Sequence, residues 1–382
     1  MDFDLSEEQS ILKDSVERLF ADNYGFEQRN RLLASPEGWS AAMWRQYAEL
    51  GLLALPFAEE HGGVGGGPVE TMIVMEAMGR ALALEPYFPT VVLGGGFVRL
   101  GGSDEQKAAI IPGIADGSRR LAFAQVERHS RFDLHHVETT AKKEGSDYIL
   151  SGAKSVVLHG DSADTLVVTA RTGGSARDAS GIGVFLVDAS ADGVSRRGYP
   201  MQDGLRGAEI SFDKVRVPAS AVLGDPQGGL PLVEAVVDQA IAALAAEAVG
   251  AMAAMHALTV DYLKVRKQFG VPIGQFQVLQ HRAVDMYVAL EQARSITLYA
   301  TMMADSDDAA ERRRAAHAAK AEIGRGGRLV GESAVQLHGG VGMTMEYAVG
   351  HYFKRMTMID LMFGDSDHHL RALADRGSLF AA

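Results

Sequence analysis

The chain has 382 residues, 47% of them hydrophobic and 23% charged, with a net charge of −12 and no cysteine. That length predicts two or three domains, and the acidic balance without a basic stripe argues against a nucleic-acid partner. Disulfides, thiolate metal sites and thiol catalysis are excluded. The acidic start from Asp2 is unlike a signal peptide, and no charge-free apolar run of about 18 residues reads as a membrane span, so a cytoplasmic protein is expected.

Residues 1–115 read as a helical domain. Ser6-Glu7-Glu8-Gln9 is a capping box ahead of Ile11, Val16 and Leu19. The run His61-Gly62-Gly63-Val64-Gly65-Gly66-Gly67-Pro68 separates helical segments. No buried strand precedes it, so it reads as a hinge turn and not as a phosphate cradle. Over residues 116–225 the period changes to two. Leu121–Val126, Tyr148–Leu150, Thr165–Thr169, Val184–Val187 and Glu209–Phe212 read as short strands between turn clusters such as Gly145-Ser146-Asp147 and Asp192-Gly193. A small β domain, barrel or sandwich, is expected.

Residues 226–382 are helical again, with long apolar runs suited to a four-helix bundle. The fold class is therefore mainly α with a central β domain. On the first long helix Ala240, Leu244, Glu247, Ala251, Leu258 and Tyr262 share one face. Glu247 on that face is either a carboxylate tuned as a general base by desolvation or a structural partner of a bundle arginine. The helix is expected to end at Arg266-Lys267, with cations in its last turn, because Gly270, Pro272 and Gly274 prevent continuation. Arg266, with Phe269 and Gln277 beyond it, can grip a diphosphate and an adenosine, or can be a charged helix end before a turn. Arg312-Arg313-Arg314 reads as a solvated helix start, and the adjacent pairs His135-His136 and His368-His369 do not suit a metal site. Met286, Met302, Met303, Met343, Met345, Met356, Met358 and Met362 read as core filling or pocket lining.

The run Tyr262–Gln277, with Arg266, Gln268, Phe269 and Gln277, resembles the signature of the acyl-CoA dehydrogenase family of flavoproteins. So does the second motif, Gln336-Leu337-His338-Gly339-Gly340-Val341-Gly342. The similarity runs from Leu5 to about Arg371 and lies nearest the small subunit of pimeloyl-CoA-type heteromeric dehydrogenases. The resemblance implies FAD as cofactor and α,β-dehydrogenation of an acyl-CoA thioester, with an electron-transferring flavoprotein as acceptor. It further implies that Arg266, Gln268, Phe269, Gln277, Gln336, Gly339 and Gly340 hold the ADP half of the flavin.

Three segments depart from the family pattern. Where the family has a Thr-Glu-Pro-Gly-x-Gly-Ser-Asp loop, this chain has Val126-Glu127-Arg128-His129-Ser130-Arg131-Phe132-Asp133. Where it has Lys-x-Trp-Ile-Thr, this chain has Lys154-Ser155-Val156-Val157-Leu158. At the usual base position the family's Glu-Gly-Thr gives way to Phe363-Gly364-Asp365, and the alternative base position falls on Ala240. These departures imply a small subunit whose large partner holds the flavin ring and supplies the base. The other arrangements are a self-sufficient homo-oligomer with Glu247, Asp365 or Asp367 as base, or a scaffold subunit that binds no flavin.

Overall fold

The computed structural model describes residues 4–375; residues 1–3, including Asp2, and 376–382 of the expected terminal domains lie outside the described residues. The helices are α1 (Glu7–Asn23), α2 (Phe26–Leu33), α3 (Ala41–Glu49), α4 (Pro68–Ala81), α5 (Gly95–Gly101) and α6 (Asp104–Ala115). The strands follow as β1 (Leu121–Ala124), β2 (Thr140–Glu144), β3 (Asp147–Leu158), β4 (Thr165–Arg171), β5 (Ile182–Asp188), β6 (Val194–Pro200), β7 (Arg206–Pro218) and β8 (Val222–Leu223). Then come α7 (Leu230–Val265), the hairpin β9 (Lys267–Gln268) and β10 (Val271–Pro272), α8 (Gln277–Met303), α9 (Ala309–His338), α10 (Ala348–Leu361) and α11 (Ser366–Asp375). The expected order of helical, β and helical segments is therefore observed. The chain forms two compact units, one of residues 1–31, 68–83 and 241–382, the other of residues 32–67 and 84–240.

In the second unit the strands form one sheet in the order β6-β7-β3-β2-β4-β5-β8, with β1 parallel to β4. It encloses a core that includes Leu150, Leu166, Val168, Phe185, Ile210, Phe212 and Val215. All five expected strands are present, and β3 and β7 run well beyond the segments expected. Three strands escaped the sequence pattern. β2 carries Lys142, Lys143 and Glu144 exposed, and β6 is an end strand bearing Arg196, Arg197 and Pro200. Charge and proline are what keep such an edge from pairing with another chain, and they also erase the apolar alternation. β8 is only two residues long. The glycine run folds back on its own unit: Gly63 N–H donates to Ala58, Gly65 to Phe57 and Gly66 to Leu55. Those amides are spent within the turn and cradle nothing.

In the first unit, α1 starts at the expected capping box, with Gln9 N–H donating to Ser6 Oγ and Ser6 N–H to Gln9 Oε1. α9 begins at Asp308, whose carboxylate caps Ala310 and Glu311, so the arginine triplet sits in its first turns. The long helix α9 packs against α8, α10 and α11. Helix α7 is long and apolar enough to cross a membrane, but most of its apolar window is buried within the protein. It meets α4 backbone to backbone: a Cβ on Gly79 would lie 1.9 Å from the Glu247 carbonyl, and one on Gly250 1.9 Å from that of Glu76. Gly79→Ala should therefore cost about 1–3 kcal/mol by forcing the helices apart, read as a lower urea midpoint.

Candidate functional site

The family-like run does not end the helix as expected. α7 stops at Val265, Arg266 follows it, and Lys267 already belongs to the hairpin, so neither cation lies in the last helical turn. Gln268 pairs with Val271 and Lys267 with Pro272 around a two-residue turn. Phe269 (φ 52°) and Gly270 (φ 83°) both take the left-handed conformation that a type I′ turn requires. The Arg266 amide donates to the Tyr262 carbonyl at 2.8 Å, and its own carbonyl accepts from Ile273 N–H at 2.8 Å. Both sides of Arg266 are thus fixed while its side chain faces solvent. Phe269 is 92% exposed, its ring 6.1 Å from that of Phe276, and Gln277 opens α8 on the exposed side.

At the end of α9, Gln336, Gly339 and Gly340 are exposed. Gly339 (φ 59°, ψ −139°) turns the chain out of the helix, and a Cβ on Gly339 or Gly340 would meet nothing within 4 Å. A turn with bare backbone admits the close approach of a diphosphate. The two corners are joined through rings: Tyr262 lies 4.5 Å from His338, which lies 4.9 Å from Tyr347. Sequence reasoning named His338 only as a member of the Gln336 motif and passed over Tyr347; Tyr262, four residues before Arg266, was the available signal.

Two of the three candidate carboxylates, Glu247 and Asp365, are otherwise engaged. Glu247 and Arg355 form a buried bidentate ion pair, Nε to Oε1 at 2.6 Å and Nη2 to Oε2 at 2.8 Å. Asp365 Oδ1 accepts from His368 N–H at 2.8 Å and caps α11, while Asp367 is exposed in its first turn. Ala240 is buried. Phe363 holds a positive φ of 58°, and its loop is tied down by Lys320, whose Nζ donates to Asp360 O at 2.7 Å and Gly364 O at 2.6 Å. Burial pulls the Lys320 ammonium down to about 8, against the charges of Asp360 and Asp365. His317 and His369 face each other Nδ1 to Nδ1 at 2.7 Å. Burial, then the charge of Lys320, push His369 down to about 2, so it is neutral. Among the described residues no group of three or more His, Asp or Glu can hold a metal.

In the β unit, Lys154 and Glu127 form a second buried ion pair at 2.7 Å. Lys154 Nζ also donates to Gln125 O and Thr169 Oγ1, and Glu127 accepts from the amides of Glu138 and Thr139. Burial alone would raise the Glu127 carboxyl; the charge and hydrogen bond of Lys154 and the Thr139 amide outweigh it and hold it low. Glu127 and Lys154, two of the three family-like residues kept in this half beside Asp133, thus anchor the loop to β3. Val156 sits in the bulge between Lys154 and Val157 at a positive φ of 53°, and its N–H faces Glu209. Neither Val156 nor Leu158 offers an aromatic face or a hydroxyl. The residues present therefore fit the ADP half of FAD better than its ring.

Of the methionines expected to fill the core or line a pocket, Met286 and Met356 are buried, whereas Met302, Met343 and Met345 are exposed, the last two at 75% and 57%. Val265, Val278, Val284, Tyr287 and Val288 are exposed as well. An open groove of about 710 Å³ runs beside Tyr287, Val288, Ile296 and Ala318 on α8 and α9.

Residues 6–118, 122–215 and 227–378 match the N-terminal, middle and C-terminal domains of acyl-CoA dehydrogenase. The acyl-CoA dehydrogenase fadE12 of Mycobacterium tuberculosis is 33% identical over 349 residues, 90% of this chain and 89% of the relative. Among solved structures, the ChsE4–ChsE5 complex from Mycobacterium tuberculosis superposes with a TM-score of 0.89 at 25% identity over 100% of both chains. The FAD complex of PigA gives 0.91 at 25% identity over 98% of this chain and 99% of that one. With every domain matched in order, the chain belongs to the acyl-CoA dehydrogenase family of FAD-dependent oxidoreductases acting on CH–CH bonds.

Proposed function

We propose that this chain is the small subunit of a heteromeric, cytoplasmic acyl-CoA dehydrogenase that introduces an α,β double bond into an acyl-CoA thioester. In that reading it grips the ADP half of a shared FAD through Arg266, Gln268, Phe269, Gln277, Gln336, Gly339 and Gly340. When bound, FAD supplies the acceptor for the β hydride, and an electron-transferring flavoprotein takes the electrons onward. The large subunit holds the flavin ring and removes the α proton. The observation that carries this reading is the state of the base positions. Phe363 and Ala240 have no acid to offer, and Glu247 is locked to Arg355. Similarity to a two-component complex supports the same arrangement. So does the exposed apolar surface on α8, the hairpin and the Met343–Met345 turn, which suits the partner subunit.

The absorption spectrum tests the arrangement. Flavin should appear when the chain is co-expressed with a large subunit and be largely absent from the chain purified alone. Stoichiometric flavin and turnover in the isolated chain would reject the heteromeric reading. Arg266→Ala should weaken flavin binding in the assembled enzyme by about tenfold or more, the scale of one charge-assisted hydrogen bond. Flavin content unchanged by that substitution would return Arg266 to an ordinary surface cation.

A further inference from the structure

The exposed turn at Gly339–Gly340 has no packing of its own, since neither glycine has a neighbour where a Cβ would stand. Its position is inherited from the residues on either side. His338, the last residue of α9, is 2% exposed and packs against two tyrosine rings. Tyr262, from the last turn of α7, lies at 4.5 Å and 33°. Tyr347, just ahead of α10, lies at 4.9 Å and 46°, and the two tyrosine rings are 6.5 Å apart, so the three rings form one compact cluster. His338 Nδ1 is 2.8 Å from the Ala334 carbonyl, which can only accept, so the ring proton sits on Nδ1. Nε2 is then an acceptor, and the Tyr347 hydroxyl donates to it at 3.3 Å. Burial pushes the imidazole below its usual range, although backbone carbonyls of Ala334 and Leu258 act in the other direction; the neutral tautomer is the resting form. The same Tyr262 gives its carbonyl to the Arg266 amide at 2.8 Å. The imidazole of His338, the residue that precedes Gly339, therefore packs on the residue whose carbonyl fixes Arg266.

We infer that His338, packed against Tyr262 and Tyr347 in one ring cluster, is a positioning residue that holds the Gly339–Gly340 turn in register with Arg266 so that both reach one diphosphate. This rests on the flavin reading above. The rings act through the backbone they fix, and none of the three needs to touch the cofactor.

The test is a titration of FAD into the chain purified with its co-expressed partner and stripped of flavin. Flavin absorbance reports the Kd, and thermal unfolding of the flavin-free protein reports stability. Tyr347→Phe, which removes one hydroxyl and keeps the ring, should raise the Kd about fivefold, the scale of one neutral hydrogen bond, with the flavin-free unfolding temperature unchanged. Tyr262→Leu should raise it by a similar factor of about five, and Tyr262→Phe should recover most of that affinity because the stack survives. Should His338→Leu fail to fold, the tyrosine variants still decide the matter. An unchanged Kd in both Tyr347→Phe and Tyr262→Leu, with Arg266→Ala weakened beside them, would overturn the inference and leave the flavin reading standing. Arg266→Ala without effect would overturn the flavin reading, and this inference with it.

Discussion

Glu247→Gln should lower the unfolding free energy by about 3 kcal/mol or more, while turnover in the presence of the large subunit stays within a few-fold of wild type. Glu247 and Arg355 are both buried and meet through two short, parallel hydrogen bonds. A neutral amide can satisfy at most part of that fork, and the guanidinium stays charged in a place water does not reach. Removing one partner of such a pair costs more than the pair itself is worth. Replacing both, as in Glu247→Leu with Arg355→Met, should recover much of the loss. Urea unfolding of the single and double variants reads the stability effect. If Glu247→Gln instead abolished turnover by several orders of magnitude with fold and flavin content intact, Glu247 would be the base and the chain a self-sufficient dehydrogenase.

Lys154→Met in the β unit should cost a similar amount, about 3–5 kcal/mol near neutral pH, for the same reason. It leaves the Glu127 carboxylate buried with two backbone amides and without its hydrogen-bonded counter-charge, only the charge of Arg171 still acting on it. The pH dependence has a definite sign. In the wild type Glu127 is held below its ordinary value of 4.5, so its contribution is fully present above that pH and is lost as pH falls further. In the variant, burial acts without Lys154, and protonation relieves the stranded charge. The gap between wild type and variant should therefore narrow as the medium is acidified below 4.5. A deficit that stayed constant from neutral to acid would show that lost packing, not lost charge pairing, was responsible.

The architecture was legible because its signals are periodic. Capping of α1 and the long apolar helices follow from local spacing, and so do the inner strands. What escaped has physical causes. β2 and β6 carry their charges outward on exposed strands, so hydropathy alternation could not reveal them. Arg266 was expected inside a helix because nothing local forbids one more helical residue; the hairpin wins because Phe269 and Gly270 close a tight turn just beyond. The ion pairs Glu247–Arg355 and Glu127–Lys154 link residues far apart in sequence. A residue's place on an apolar face can suggest that it needs a partner, but only the folded chain says which. The resemblance supplied candidate flavin contacts on the bundle, whereas the His338 cluster needed three rings from separate segments of the chain to be seen together.

The turn at Phe269–Gly270 has an entropic consequence. A phenylalanine in the left-handed region is held there at a cost of about 1–2 kcal/mol, which the folded chain bears whether or not anything covers the ring. Fixing a loose loop residue on association typically costs about as much again in lost backbone freedom. Here that freedom is already gone while 92% of the Phe269 surface remains open. A surface that closes over the hairpin thus meets a corner already in its final shape, and the affinity gained depends on the area it covers rather than on the ordering of a loop.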